Sequence, residues 1–163
     1  MSSIEIKEYA AVNQEDLICM ILTIQQQEFA IPITREAQPD LANIPGFYQQ
    51  GNGNFWVALN GAEVVGTIGL IDIGNQQVAL RKMFVKASFR GAEFGVAKKL
   101  LDQVFDWVRK QNVKTVYLGT TDKFLAAHRF YDKNGFVRIA REELPPNFPV
   151  MQVDTVFYQY GVA

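Results

Sequence analysis

An apolar segment, a turn with two glycines and an amphipathic helix follow one another without a break in the middle of the chain. The segment is Leu80–Val85, and the turn contains Gly91 and Gly95. This order leaves backbone N–H groups without partners at a helix N-terminus, where they bind an anion together with the helix dipole. Arg90 adds a charged donor at the entrance of the turn. The sequence therefore predicts a strand–turn–helix unit that binds a phosphate or pyrophosphate.

The residues after this turn have a helical period and then a further strand. Apolar residues recur every three to four positions over residues 93–112, which predicts an amphipathic helix. Thr115–Leu118 is predicted to be a short strand, so the strand–helix–strand unit implies a parallel pair with a right-handed crossover. A second helix is predicted over residues 123–133, and the last strands are predicted at Phe136–Ile139 and Val153–Tyr160.

The residues before the turn alternate between apolar and polar types, which is typical of an antiparallel sheet. Asn13 is expected to cap a helix that continues to Phe29. Prolines and glycines make residues 30–53 a loop with one short helix near residues 40–49. Strands are predicted at Ile4–Tyr9, Phe55–Leu59, Glu63–Ile71 and Gln76–Val85, with a hairpin turn at Asn60-Gly61. We therefore expect one α+β domain over residues 1–163, in which an antiparallel meander precedes a βαβ unit in a mixed sheet.

The composition argues against several classes of function. The net charge is −1 and no basic run is present, which disfavours nucleic-acid binding. No apolar run approaches the roughly 20 residues of a membrane span, and the N-terminus lacks the pattern of a signal peptide. We therefore expect a cytoplasmic protein without a membrane partner. Cys19 and His128 are the single cysteine and histidine, which argues against a disulfide and a metal site. Cys19 is expected to be buried, and His128 to lie at the surface or at the edge of a ligand.

Two short motifs lie one helix and one strand apart. Residues 90–95 read Arg-Gly-Ala-Glu-Phe-Gly, and residues 127–136 read Ala-His-Arg-Phe-Tyr-Asp-Lys-Asn-Gly-Phe. The first resembles the acetyl-CoA motif Gln/Arg-x-x-Gly-x-Gly/Ala of the GNAT family of N-acetyltransferases, although Glu93 stands where the family usually has glycine. The second resembles the family's Ala-x-x-Φ-Tyr-x-x-x-Gly-Phe, in which Φ is apolar. The predicted meander and the final strand pair also fit, so the resemblance covers nearly the whole chain.

The resemblance implies a GNAT-like fold and acetyl-CoA as the cosubstrate, without a metal. In the family, the turn binds the pyrophosphate and the preceding strand lies along the pantetheine arm. Tyr131 is implied as the general acid that protonates the departing CoA thiolate, since a phenol pKa near 10 and a thiol pKa near 8.5 permit that transfer. The residues implied to contact CoA are Met83, Phe84, Val85, Arg90, Gly91, Ala92, Glu93, Phe94, Gly95, Val96, Thr121, Ala127 and Tyr131.

Three features of the implied site remain open in the sequence. The backbone N–H of Glu93 can help to bind the pyrophosphate only if the Glu93 carboxylate faces solvent or pairs with a cation such as Lys98. Arg81 and Lys82 lie in a central strand, where alternation predicts that their side chains face opposite sides of the sheet.

The general base is the third open feature. Ala79 stands where many relatives carry a carboxylate. The acidic candidates for the general base are Glu28, Glu63 and Asp72, and a water chain or an acceptor that arrives already neutral would also serve.

The implied activity is direct transfer of an acetyl group to the primary amine of a small molecule or a peptide. Residues 28–48, with Phe29, Phe47 and Tyr48, are expected to form one wall of a partly apolar acceptor pocket. The alternative is a non-catalytic acyl-CoA-binding or regulatory module. A Rossmann oxidoreductase is disfavoured, because the glycine turn follows an antiparallel meander. A homodimer through the final strands is also compatible with the fold.

Overall fold

Seven strands form one mixed sheet in a computed structural model that describes residues 4–91 and 93–162. Ala92, one of the residues implied to contact CoA, lies outside the described residues. The strands are β1 (Ile4–Glu8), β2 (Asn54–Asn60), β3 (Glu63–Gly74), β4 (Gln77–Val85), β5 (Thr115–Thr120), β6 (Val137–Ile139) and β7 (Val156–Gly161). The helices are α1 (Gln14–Leu22), α2 (Ile44–Phe47), α3 (Val96–Lys110) and α4 (Leu125–Lys133). The spatial order β1-β2-β3-β4-β5-β7-β6 confirms the predicted mixed sheet.

The first four strands form the predicted antiparallel meander. Asn60 pairs with Glu63, so the turn between β2 and β3 consists of Gly61 and Ala62, one residue later than predicted. Gly61 has a φ of +64°, a conformation that glycine adopts without strain. The glycine therefore fixes the register of the hairpin, although the asparagine remains in the strand.

The two sides of the sheet are covered by different helices. Trp56 belongs to the same buried cluster as Leu100 of α3, whereas its neighbour Phe55 belongs to the cluster that contains Leu17 of α1. Successive side chains of β2 thus enter the two cores in turn, as the period of a strand requires. Among the described residues, no helix is long and apolar enough to cross a membrane.

The segment that follows β1 differs from the predicted continuous helix. Helix α1 ends at Leu22, and a π-helical segment, Thr23–Glu28, carries the chain on. Asn13 does not cap the helix with its side chain, since its Oδ1 accepts a hydrogen bond from the Ala10 amide at 3.0 Å. Cys19 is exposed, contrary to the prediction, because the apolar face of α1 is already made by its leucine and isoleucines.

Strands β4 and β5 are parallel, as the strand–helix–strand pattern predicted, but they pair over only a short length. Their register joins residues 77–80 to residues 115–118. Beyond this stretch β4 continues along β3, and β5 continues along β7. The sheet therefore opens into two wings, and the facing backbone edges of β4 and β5 have no strand between them.

A bulge interrupts β4 where the sheet opens. Thr67 pairs with Phe84 and Gly69 pairs with Arg81, so β4 has one more residue than β3 over this step. Lys82, within the bulge, has a φ of +54°, and its carbonyl accepts a hydrogen bond from the Thr67 hydroxyl at 2.7 Å. A bulge breaks the alternation of side chains. The prediction that Arg81 and Lys82 face opposite sides is therefore wrong.

Candidate active site

A cavity of about 460 Å³ lies between the two wings of the sheet. Its walls come from β4, the end of β5, the start of α4, the π-helical segment and the loop before β7. Seven of the residues implied to contact CoA line it together: Met83, Phe84, Val85, Arg90, Thr121, Ala127 and Tyr131. These residues come from four separate parts of the chain, so the fold brings the two sequence motifs to one place.

The glycine turn lies beside this cavity at the start of α3. Gly91 has a φ of +112°, and Gly95, the residue that precedes the helix, has a φ of +61°. Glu93 is exposed, and its suggested partner Lys98 instead binds Asp102 at 2.7 Å. The first amides of α3 have no partners within the helix, whereas the Phe94 and Gly95 amides of the turn donate to the Gly91 carbonyl at 3.3 and 3.2 Å. The remaining residues implied to contact CoA, Phe94 and Val96, lie in this turn and at the first position of α3, outside the cavity lining.

Arg90 is held in place by contacts on three sides. Its guanidinium forms a two-pronged ion pair with Glu28, in which Nη2 donates to Oε1 at 2.8 Å. Its Nε donates to the Val85 carbonyl at 2.8 Å, and the guanidinium carbon lies 6.0 Å from the centre of the Phe29 ring. Arg90 therefore connects the π-helical segment to the end of β4 and the entrance of the turn.

Tyr131 lines the cavity together with Met83. The side chain is buried, and the hydroxyl donates a weak hydrogen bond to the Met83 sulfur at 3.7 Å. Burial raises the pKa of Tyr131 above its usual value, and the nearby Tyr158 raises it further. The phenol therefore keeps its proton through the neutral range, and its oxygen has only a weak acceptor nearby.

None of the acidic residues proposed as the base lines the cavity. Glu28 binds Arg90, and Glu63 binds Lys86. Asp72 accepts hydrogen bonds from backbone amides of two turns, and Ala79 is fully buried between neighbouring strands. The sequence therefore did not identify a carboxylate at this cavity.

Asp154 is the carboxylate that lines the cavity. Its Oδ2 accepts a hydrogen bond from the Met151 amide at 2.8 Å. Burial raises the pKa of Asp154, although that hydrogen bond and the positive charges of Arg81 and Lys82 oppose the rise. Nothing in the local sequence indicates that Asp154 lines the cavity, because the fold of the long loop before β7 brings it to the opening of the sheet.

A buried polar cluster borders the cavity, and two of its members, Lys82 and Gln25, line it. The Lys82 ammonium donates to Gln38 Oε1 at 2.6 Å, and Gln38 and Gln25 exchange amide hydrogen bonds at 2.9 and 3.0 Å. Asp40 accepts a 2.5 Å hydrogen bond from the Tyr48 hydroxyl. Burial lowers the pKa of Lys82 to about 8, even though Asp40 stabilises its charge.

The predicted aromatic wall of the acceptor pocket is only partly correct. Phe29 lines the cavity, together with Ile31 and Ile33 of the same loop. Phe47 is exposed, and Tyr48 is fully buried in the core below α1. The wall is therefore apolar near the π-helical segment and polar where β4 bulges.

His128 has a structural position. It is buried, contrary to the prediction, and its Nε2 lies 2.9 Å from the Thr121 carbonyl, to which the protonated nitrogen donates. Within residues 4–91 and 93–162, no three His, Cys, Asp or Glu side chains come together in a group that could hold a metal ion. His128 thus ties α4 to the end of β5.

Comparisons with known proteins agree with this geometry. The sequence pattern of the acetyltransferase (GNAT) family matches residues 19–136. A GNAT-family acetyltransferase structure from Staphylococcus aureus Mu50 superposes with a TM-score of 0.95 at 46% identity, over 99% of this chain and 100% of that chain. An acetyltransferase structure from Streptococcus agalactiae has a TM-score of 0.92 at 30% identity, over 97% of this chain and 98% of that chain.

A curated relative matches over a shorter share of its length. N-acetylaspartate synthetase of Danio rerio is 34% identical over 124 residues, which are 74% of this chain and 43% of that protein. This chain spans about half the length of the curated relatives it matches. The similarity therefore extends over most of this chain but only over part of those proteins.

Proposed function

Because the chain belongs to the acetyltransferase (GNAT) family, we propose that it transfers an acetyl group from acetyl-CoA to a primary amine. The observation that carries this proposal is the cavity that the unpaired edge of β4, Tyr131 and Asp154 line together. The relative named N-acetylaspartate synthetase supports nitrogen as the acceptor atom. The proposal therefore places both substrates, acetyl-CoA and the amine, in this cavity.

The glycine turn and β4 fit the donor. The first turn of the 15-residue helix α3 offers amides without partners in the helix, and Glu93 is exposed, so its carboxylate can face solvent. The edge of β4 beyond Leu80 has no strand partner on the β5 side, so its amides and carbonyls can hydrogen-bond an extended pantetheine arm. Bound acetyl-CoA supplies an activated acyl group whose sulfur leaves as a thiolate.

The residues of the cavity divide the proton transfers between them. An alkylammonium has a pKa near 10.4, so only about one molecule in a thousand is neutral at pH 7. Asp154 accepts the proton that the amine must lose, directly or through one water molecule. An amide of β4 near Phe84 or Val85 polarises the thioester carbonyl. As the new C–N bond forms and the C–S bond breaks, Tyr131 gives its proton to the departing sulfur.

The test is an assay of amine-dependent release of CoA thiol, with the N-acetylated product identified by mass spectrometry. The purified protein is incubated with acetyl-CoA and a panel of primary amines, and the binding of CoA and of NAD is followed by thermal shift. We expect stabilisation by CoA, none by NAD, and acetylation of at least one class of amine. Tight CoA binding without product from any amine would instead identify a non-catalytic acyl-CoA-binding module.

A further inference from the structure

Two adjacent cations of β4 face the same side of the sheet. The bulge turns Lys82 so that its ammonium lies 3.7 Å from Asp40 Oδ2, while the Arg81 guanidinium lies 3.9 Å from the same oxygen. Both side chains line the cavity, and they are only 12% and 6% exposed for Arg81 and Lys82. Two largely desolvated positive charges therefore stand together in the wall of the cavity.

The single carboxylate between them does not satisfy both cations. Charge-assisted N–H···O bonds are about 2.7–2.9 Å long, and both cations lie well beyond that distance from Asp40. The Tyr48 hydroxyl already binds the same Asp40 oxygen. Among the described residues, the guanidinium of Arg81 finds only the Met151 sulfur within hydrogen-bond distance, and a thioether is a weak acceptor.

The free donors of Arg81 therefore point to an oxygen acceptor supplied by a ligand. A guanidinium presents its N–H groups as a planar fork that matches a carboxylate. Lys82 is oriented beside it by Gln38, which is itself fixed by Gln25. We propose that Arg81 and Lys82 bind a carboxylate of the acceptor, so that the acceptor is an amine which also carries a carboxylate, as an amino acid does.

Asp154 adds a negative charge to the site that contains Arg81 and Lys82. It lines the same cavity, and the charges of Arg81 and Lys82 act on its carboxylate. A ligand whose carboxylate lies at the two cations can place its amine toward Asp154. The cavity lining then holds two cations and one carboxylate, whose charges complement the two charges of an amino acid. This inference rests on the proposed function, because it assumes that the cavity receives the acceptor.

The first experiment compares matched acceptors with the unmodified protein. Each amino acid is assayed beside its decarboxylated amine and its carboxamide, with CoA release as the readout. We expect kcat/KM about 10- to 100-fold higher for the amino acid, the loss that follows removal of a hydrogen-bonded charge. Equal values for the decarboxylated amine would overturn the carboxylate site, whereas the proposed function would stand.

The second experiment changes the site. We expect Arg81→Gln to raise KM about 10-fold or more for the amino acid, to leave the decarboxylated amine unaffected, and to leave the KM for acetyl-CoA unchanged. Arg81→Lys should restore part of the loss. Lys7→Gln removes an exposed charge from β1 and should have no effect. Equal KM increases for both acceptors would show that Arg81 only supports the fold.

A binding measurement separates the two hypotheses if no turnover is found. N-acetyl amino acids and N-acetylated decarboxylated amines are compared as ligands by thermal shift in the presence of CoA. The carboxylate site predicts stabilisation by the N-acetyl amino acids alone, and loss of that stabilisation in Arg81→Gln. Stabilisation by both series, or by neither, would overturn it whether or not the protein is an enzyme.

Discussion

Lys82 combines a left-handed backbone conformation with a buried ammonium group. A non-glycine residue in this conformation costs about 1–3 kcal/mol unless its surroundings hold it there. The Thr67 hydroxyl holds its carbonyl, and Gln38 holds its ammonium. A stabilised, strained residue at the opening of the sheet is typical of a site where geometry serves function.

The pKa of Lys82 predicts a pH dependence of acceptor binding. Because burial lowers this pKa from 10.5 to about 8, half of the Lys82 ammonium is lost near pH 8. The groups that act on it are Asp40, Arg81 and Asp154. We expect the KM of a carboxylate-bearing acceptor to rise several-fold between about pH 7 and pH 9, in addition to any change seen with the decarboxylated amine.

Two controls belong to this pH experiment. The decarboxylated amine reports the ionisation of the attacking nitrogen alone, and Lys82→Arg keeps the charge over the same range, since an arginine does not lose its proton. Loss of the Lys82 proton weakens acceptor binding, but it has the opposite effect on the stability of the fold. The unfolded chain binds the Lys82 proton up to 10.5, so the free energy of unfolding should rise with pH between about 8 and 10.5. A KM that is flat with pH would contradict the role of Lys82.

Asp154 is predicted to determine the acidic limb of the rate profile. Because burial raises its pKa, the carboxylate is protonated at a higher pH than an exposed aspartate, and the rate falls as the pH decreases through that value. We expect Asp154→Asn to reduce kcat by about 10²–10⁴-fold at neutral pH and to remove the acidic limb. Asp122→Asn, on the exposed turn after β5, is the control. An unchanged acidic limb would assign the base elsewhere.

Among the elements, the turn before α3 is the one that we expect to bind the pyrophosphate of CoA. Gly95→Glu should abolish CoA binding, because it places a charged side chain in the turn and strains a φ of +61°. Gly61→Glu provides a matched control, since Gly61 has a φ of +64° with open space around it, far from the cavity. Glu93→Gly should leave CoA affinity equal or improved, as measured by titration calorimetry. Unchanged affinity in Gly95→Glu would remove the phosphate assignment.

Elements with a strong local signal were predictable from the sequence. The four-residue spacing of apolar side chains identified α3, and the order of strand, helix and strand identified the parallel pairing of β4 and β5. The β4 bulge was not predictable, because it depends on the pairing of Arg81 with Gly69 and of Phe84 with Thr67. These contacts join distant parts of the chain and leave no periodic pattern.

The sequence located the residues that are proposed to bind the acetyl donor but not those that are proposed to bind the acceptor. The motifs located Arg90, the glycine turn and Tyr131, which follow one another in a fixed local order. Asp40 and Asp154 lie more than a hundred residues apart in the chain, and only the folded loops bring both near β4. The residues proposed to bind the acceptor therefore depend on long-range contacts, whereas those proposed to bind the donor lie in short sequence motifs.

At the scale of the whole molecule, the cavity is a consequence of the sheet topology. The meander and the final strands meet through four residue pairs of β4 and β5, and α3 packs across the joint from one side. Past that joint each wing follows its own partner strand. The opening exposes backbone donors and acceptors on β4 next to the start of α3, and the loops of both wings close over it. Under the proposed function, this one opening receives both the thioester and the amine.

If the opening of the sheet is an acetyl-transfer site, Tyr131→Phe should lose most of the amine-dependent release of CoA. The control is Tyr158→Phe, which removes the same atom from a buried neighbour whose ring centre lies 5.6 Å away and which does not line the cavity. We predict that Tyr131→Phe lowers the rate about 10²–10⁴-fold, with CoA affinity retained, while Tyr158→Phe remains near the unmodified protein. Equal rates for the Tyr131→Phe variant and the unmodified protein would contradict the claim that Tyr131 protonates the leaving thiolate in this cavity.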